Sequence, residues 1–280
     1  MLLPFPSLDH VVINALDRMD AAAECYRRLG FSLTPRGRHT LGSINHLAVF
    51  GTDYLELVGV EPNAPNARAD IRRFPIGLNG FVFGTEDPDE LHATLAASGV
   101  PADAPIAFSR PVELPQGPED ARFRVVRLAV DAVPYGRLYF CNHLTRHLVW
   151  RDAWREHANG AIGMVRVVVC AAEPEDCAGL LRAMFGPAML QRIAGGFRLA
   201  VGLSHLDILA PAALAAEFGD ALPDAGGRRQ FMAALTLRTL SLARAAAALQ
   251  AGGIAPAQSS ANRLVVPAAA AFGATLEFAA

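Results

Sequence analysis

Leu8-Asp9-His10-Val11-Val12-Ile13-Asn14 is a short run rich in β-branched residues, the composition and length of a buried strand. A helical pattern follows, with Asp17 or Asp20 available to cap it and Ala22, Cys25, Tyr26 and Leu29 along one face. Gly30 supplies the stop. Three strand-like segments come next, over 31–34, 44–50 and 54–60, with Gly51-Thr52-Asp53 as a hairpin turn between the last two. No helical pattern lies between Gly30 and Leu78. The order is β-α-β-β-β.

The same order returns along the chain. A strand over 78–84 is followed by Asp87-Pro88-Asp89-Glu90, which combines an N-cap with proline at the first helical position. That helix ends at Ser98-Gly99, and strands are expected over 106–114, 122–130 and 137–141. A third copy starts over 164–170, opens its helix at Glu173-Pro174, closes it at Gly186, and continues over 197–201 and 205–209. A weaker fourth copy runs from 231–237, past Gly252-Gly253, to 275–278. The predicted fold class is therefore α+β. Four tandem βαβββ modules, in two pairs, form cup-shaped mixed sheets. The expected domains are 1–142 and 160–280, joined by a helix within 143–159. A tandem ferredoxin-like protein would need a second helix in each unit.

Composition narrows the function. Hydrophobic residues make up 52% of the 280, enough for two cores and far from a disordered composition. A net charge of −2 gives no general attraction to nucleic acid or an anionic membrane, so neither is expected as a partner. All 25 basic residues are arginine, which removes any Schiff-base or Walker-type lysine. Cys25, Cys141, Cys170 and Cys177 form no C-x-x-C pair, which fits a reducing cytoplasm better than a disulfide framework. The opening residues lack the basic segment of a signal peptide.

The first strand, the helix end Leu29-Gly30-Phe31 and the run Tyr54-Leu55-Glu56-Leu57-Val58 resemble the opening module of glyoxalase-like proteins. These belong to the vicinal-oxygen-chelate superfamily, with the glyoxalase, bleomycin-resistance and extradiol dioxygenase families. Tyr139-Phe140-Cys141-Asn142-His143-Leu144-Thr145, followed by Leu148-Val149-Trp150, is similar to the segment closing the first half of one subgroup. The resemblance implies two modules curled into a cup, with a divalent metal ion chelating two neighbouring oxygens of a small substrate. Its ligands would come from the first and last strands of the modules. His10 and Glu56 stand at those places in module one. In module two the matching places fall to Asn79, or Gly80 after a one-residue slip, and to Tyr139. His46 and His143 are the candidates for a further ligand, and zinc, iron, manganese or nickel would suit such a set. The implied activity is that of a lyase, isomerase or dioxygenase, with Glu56 or Tyr139 moving the proton. The alternative is a metal-free binding protein of the bleomycin-resistance type. A homodimer is compatible with either.

Strand alternation puts Tyr54 and Glu56 on one face and lets Tyr54 donate from its hydroxyl. Arg122 and Arg124 share a strand face; facing the cup they would hold a substrate carboxylate, and otherwise they form a solvated surface. His143, His147 and Arg151 recur every four residues, with Trp150 and Trp154 expected to anchor one half on the other. His39, His92 and His157 are expected to face solvent. In the second half His205, Asp207 and Glu277 echo the acidic last-strand positions, but Arg166 and an alanine near Ala233 replace the first-strand partners. A guanidinium repels a cation, so that half is expected to lack a metal and to support the first, covering its cup.

Overall fold

In the computed structural model, which describes residues 2–64 and 68–280, the four modules form two eight-stranded sheets. Module one is β1 (Leu8–Leu16), α1 (Met19–Arg28), β2 (Gly37–Arg38), β3 (Ser43–Val49) and β4 (Tyr54–Val60). A one-turn helix, α2 (Ala69–Arg72), leads to module two: β5 (Gly77–Gly84), α3 (Pro88–Ala97), β6 (Ile106–Val112), β7 (Glu119–Arg127) and β8 (Arg137–His143). Module three is β9 (Ala161–Ala171), α4 (Pro174–Phe185), β10 (Leu190–Ile193), β11 (Gly196–Val201) and β12 (Ser204–Leu209). Helix α5 (Pro211–Phe218) connects it to β13 (Gln230–Thr239), α6 (Leu242–Ala251), β14 (Gln258–Ser259), β15 (Arg263–Val266) and β16 (Thr275–Ala279).

Each sheet joins its two modules through their first strands. The first runs β2-β3-β4-β1-β5-β8-β7-β6 and the second β10-β11-β12-β9-β13-β16-β15-β14. Within a module the first and last strands are parallel, as β1 with β4 and β5 with β8, while the central pair β1–β5 is antiparallel. The outer strands of the first sheet then bend towards each other. The Thr40 amide donates to the Ser109 carbonyl at 2.9 Å, and the Ser109 amide to the Thr40 hydroxyl at 3.2 Å, closing the cup along a seam.

Strand alternation sorts the side chains. Val11, Ile13, Leu55, Leu57, Phe81 and Phe83 leave the back of the first sheet and join Val167, Val169, Leu235 and Leu237 from the back of the second in one continuous core. Phe31 stacks on Phe278 and Phe83 meets Phe185 across the two halves. The backbones cross where Gly77 faces Gly273: a Cβ on Gly77 would lie 2.5 Å from the Gly273 carbonyl oxygen, and both glycines hold positive φ. The second half therefore packs on the back of the first and does not cover its cup.

Several expectations need correction. Asp87 caps α3 through the amides of Asp89 and Glu90, but α1 has no side-chain cap and Asp20 sits inside its first turn. Residues 31–34 are not a strand; β2 lies further on. A helix does lie between Gly30 and Leu78. It sits in the connection between modules, where Asn14 on β1 donates to the carbonyls of Ile71 and Phe74 and pulls it over the cup. In the stretch expected as a linker helix there are two 3-10 turns, Arg146–Leu148 and Asp152–Trp154. Trp150 is not an anchor between halves: it packs edge-on against Tyr54 and His143 inside the first half. His157 is buried, bonded to the Ser32 amide and the Val49 carbonyl.

The two cups are filled differently. In the second, α5 inserts Leu214 and Phe218 among Val168, Phe231 and Val265, whereas in the first the shorter α2 brings Ile71 to the cup's apolar cluster. Phe218→Ala should lower the unfolding free energy by about 3–5 kcal/mol, the usual cost of emptying a large aromatic site. Urea titration checks this, and the first cup should keep its ligand-binding behaviour in the folded variant.

Candidate functional site

The first cup encloses a cavity of about 140 Å³, lined by His10, Tyr54, Glu56, Tyr139, Phe108, Phe123 and several arginines. Two bulges shape its floor. Leu8 pairs with Phe83 and His10 with Val82, so Asp9 is the extra residue on β1. The bulge breaks alternation there, and Asp9 reaches its neighbour's ring. The second bulge is at Asn79, because Val12 pairs with Gly80 and Ile13 with Leu78.

His10 is held on every side. Its Nδ1 lies 2.6 Å from Asp9 Oδ1, its ring stacks on Tyr54 at 4.4 Å, and its Nε2 lies 3.1 Å from the Tyr139 hydroxyl and 3.6 Å from Glu56 Oε2. Asp9 also receives His143 Nε2 at 3.0 Å. Burial opposes the charge on Asp9, but His143 and His10 outweigh it and hold the carboxyl well below its usual range. An ionised carboxylate only accepts, so both ring nitrogens against it carry hydrogens. The other ring nitrogen, His10 Nε2, is directed at Tyr139 and Glu56 on the cavity wall.

Glu56 is almost wholly buried. Burial would raise its carboxyl, but His10, His39 and the Asn45 amide, which donates at 2.7 Å, bring it below the ordinary value. Tyr139 moves the other way: burial and the Glu56 charge push its phenol up. His39 lies behind Asn45, with its Nδ1 2.9 Å from the Ser43 hydroxyl and its ring edge-on to Phe108.

The register shows how the modules correspond. His10 pairs with Tyr54 and Val12 with Glu56 in module one, while Gly80 pairs with Arg137 and Val82 with Tyr139 in module two. Gly80 therefore stands opposite His10, and Tyr139 opposite Glu56. The same comparison sets Arg166 in the place of His10 and Asp207 in that of Glu56. There the guanidinium of Arg166 bonds both Asp207 and Glu217, and Arg198 adds two bonds to Asp207 at 2.7 and 2.8 Å. Glu277 takes Thr236 and Arg263. A fixed cation occupies the polar centre of the second cup.

The structure thus brings together His10, Glu56, Tyr139 and Tyr54, with His143 one carboxylate away. His46 is elsewhere: strand parity turns it to the other face of β3, where its Nδ1 meets the Thr34 carbonyl at 2.7 Å. Asn79 spends its amide on the Pro75 carbonyl and Arg137 at the cup's edge and does not line the cavity. Arg122 is exposed, and Arg124 pairs with Asp89 on α3, so both belong to the outer surface of β7. Phe123 and Val125 face inward in their stead.

Asp9, Asn45 and Arg110 were not singled out by sequence reasoning, Cys141 was read only among the scattered cysteines and the closing segment, and His39, expected to face solvent, instead lines the cavity with bonds to Ser43 and Asn45. Asp9 needed the bulge, which no pattern announces. Asn45 was accessible, since it shares parity with Ser43 and Leu47, but the neighbouring imidazole was the better ligand type. Asp9, Cys141 and His143 also present ligand atoms all within 4.8 Å of one another. Burial pushes the Cys141 thiol well above its usual range, with the Asp9 and Glu56 charges adding to it.

Paired βαβββ modules curled about such a cavity define the vicinal-oxygen-chelate fold. The model of the glyoxalase-like domain matches residues 8–185, and the chain belongs to that family. Among proteins with curated descriptions, none matches it by sequence. In structure it is similar to a hypothetical protein from Staphylococcus aureus, at 12% identity and a TM-score of 0.68 over 98% of both chains. A mutant of 4-hydroxymandelate synthase from Streptomyces coelicolor aligns at 11% identity and a TM-score of 0.61, over 99% of this chain and 92% of that one. At these identities the likeness is one of fold. No helix among the described residues is long and apolar enough to cross a membrane.

The His39 environment carries a pH signature. Burial, reinforced by Arg110 and Arg68 and opposed by Glu56, lowers its pKa from 6.5 to about 4. The unfolded chain then takes up a proton that the folded one refuses, so stability falls as pH drops from about 6.5 towards 4 and levels below. His39→Gln should flatten that part of the profile, as measured by denaturant midpoints across the range.

Proposed function

We propose that the first cup is the active site of a metal-dependent vicinal-oxygen-chelate enzyme, a lyase, isomerase or dioxygenase acting on a small oxygenated molecule. The observation that carries this reading is the 3.6 Å separation of His10 Nε2 from Glu56 Oε2 on the wall of one cavity. Two donor atoms at that spacing suit a single divalent ion with bonds of about 2.0–2.2 Å. A donor pair of imidazole and carboxylate suits zinc, iron, manganese or nickel. When bound, the ion supplies Lewis-acid polarisation of adjacent oxygens.

The chain's own groups supply the rest. Asp9 orients His10 and fixes its tautomer. Glu56, held ionised, can accept a proton, while Tyr139, held as the phenol, can donate one. The metal-free binding reading draws on Gly80, which offers no side-chain donor where module two would otherwise supply one.

Titration with zinc, manganese, iron and nickel tests the proposal. His10→Ala and Glu56→Gln should each abolish binding while circular dichroism stays unchanged, and Cys141→Ser should retain it. Loss in Cys141→Ser with retention in Glu56→Gln would move the ion to Asp9, Cys141 and His143. If the wild-type protein binds no metal at all, the binding-protein reading replaces this one.

A further inference from the structure

Arg110 lies on β6 with its side chain in the cup, two residues from Phe108. Only 3% of it is exposed. Its Nε and one terminal nitrogen are buried with no hydrogen-bond partner, and no carboxylate pairs with it among the described residues. Its neighbours do not offer one. Gly37 passes so close that a Cβ there would sit 2.8 Å from Arg110 Cδ and 2.3 Å from the Asn45 side-chain oxygen. The arginine thus rests in a slot that glycine opens.

Other arginines of the cavity are accounted for differently. Arg68 holds Asp70 bidentately at 2.8 and 2.7 Å, and Arg137 reaches the same carboxylate at 3.6 Å. Around the cavity, four guanidinium groups face three carboxylates, those of Glu56, Asp70 and Asp103. His39 adds no charge near neutral pH, with its pKa at about 4. One positive charge is left over; neither Arg110 nor Arg127 makes an ion pair among the described residues, and Arg110 is the one with two guanidinium nitrogens buried and unbonded.

A buried cation without a counter-charge is expensive. Desolvation costs several kcal/mol, and only a well-placed anion with matching hydrogen bonds returns it. The planar fork of a guanidinium matches a carboxylate with two parallel bonds. Beside it the stacked rings of Phe108 and Phe123, 5.0 Å apart, form an apolar wall. We infer that Arg110 is the anchor for the carboxylate of a monoanionic substrate whose apolar or aromatic body lies along Phe108 and Phe123. This rests on the cup being the substrate site, as proposed above. A single negative charge fits because Glu56 faces the same cavity and repels a second.

The probes are benzoate and phenylacetate, with benzamide as the neutral isostere and phenyl phosphate as the dianion. Binding is followed by Trp150 fluorescence and calorimetry, with and without manganese. The wild-type protein should bind the carboxylates at millimolar concentration or better and prefer them to both controls. Arg110→Met should weaken them by about 30-fold or more, the loss expected when one partner of a buried charge pair is removed. Arg110→Lys should fall between, keeping the charge and losing the fork. Arg110→Met should also unfold at the same temperature as wild type or higher, because it deletes an unpaired buried charge. A merely structural arginine would lower it.

Equal binding of benzoate and benzamide overturns the inference, as does failure of both carboxylates to bind the wild type. Preference for phenyl phosphate overturns the carboxylate assignment. Loss in Arg127→Met with Arg110→Met unaffected assigns the anchor elsewhere and has the same effect. Manganese binding reports on His10 and Glu56 separately. Arg110-dependent carboxylate binding in a protein that takes no metal would sink the metalloenzyme reading and uphold the anchor.

Discussion

Both sheets bury their backs against a single apolar core, and the placement of every polar group follows from that. Alternation along each strand sends one set of side chains to the back, where only packing is acceptable. The other set is left for the concave side. Val11 and Ile13 therefore belong to the shared core, while His10 and Val12 belong to the cup. The polar residues that lie buried in the first cup have nowhere else to be satisfied. Most bond to one another, through Asp9, His10, Tyr139, Glu56 and Asn45, and Arg110 is the exception.

The two cups apply one frame to opposite ends. In the second, a guanidinium from the chain itself stands where the first carries an imidazole, and α5 fills the space above it. Its carboxylates are consumed by Arg166, Arg198 and Arg263. In the first, the imidazole is backed by a carboxylate and its other nitrogen meets Tyr139 and Glu56 on the wall of a cavity. A buried ion pair gives little net stability over apolar packing, so the closed second cup reads as a frame that keeps the shared core in place. The open one retains room for a ligand.

The order of elements was legible because strand alternation and helix-end glycines repeat with each module, and Gly30, Gly99, Gly186 and Gly253 mark them with positive φ. The short strands β10, β14 and β15 at or next to the edges of the second sheet were not, since two to four residues carry no period. Helix α5 was hidden by an alanine-rich stretch with little amphipathic contrast. At the site, His10, Glu56 and Tyr139 could be placed from strand position. Asp9 could not, because a bulge changes which face a residue occupies without changing the residues around it. Arg122 and Arg124 show the limit in reverse: parity grouped them correctly but did not say which side was water. Phe123 between them held that information, since an aromatic is better placed inward.

The seam between Thr40 and Ser109 has a consequence beyond shape. An open sheet ends in strands whose amides and carbonyls invite a foreign strand to extend it, and this is a common start of aggregation. By turning its two outermost strands on each other, the first half spends part of those groups internally. The rim of the pocket and the protection of the sheet are then the same few bonds. A change that widens the entrance at this point would also offer the chain's neighbours an unpaired border.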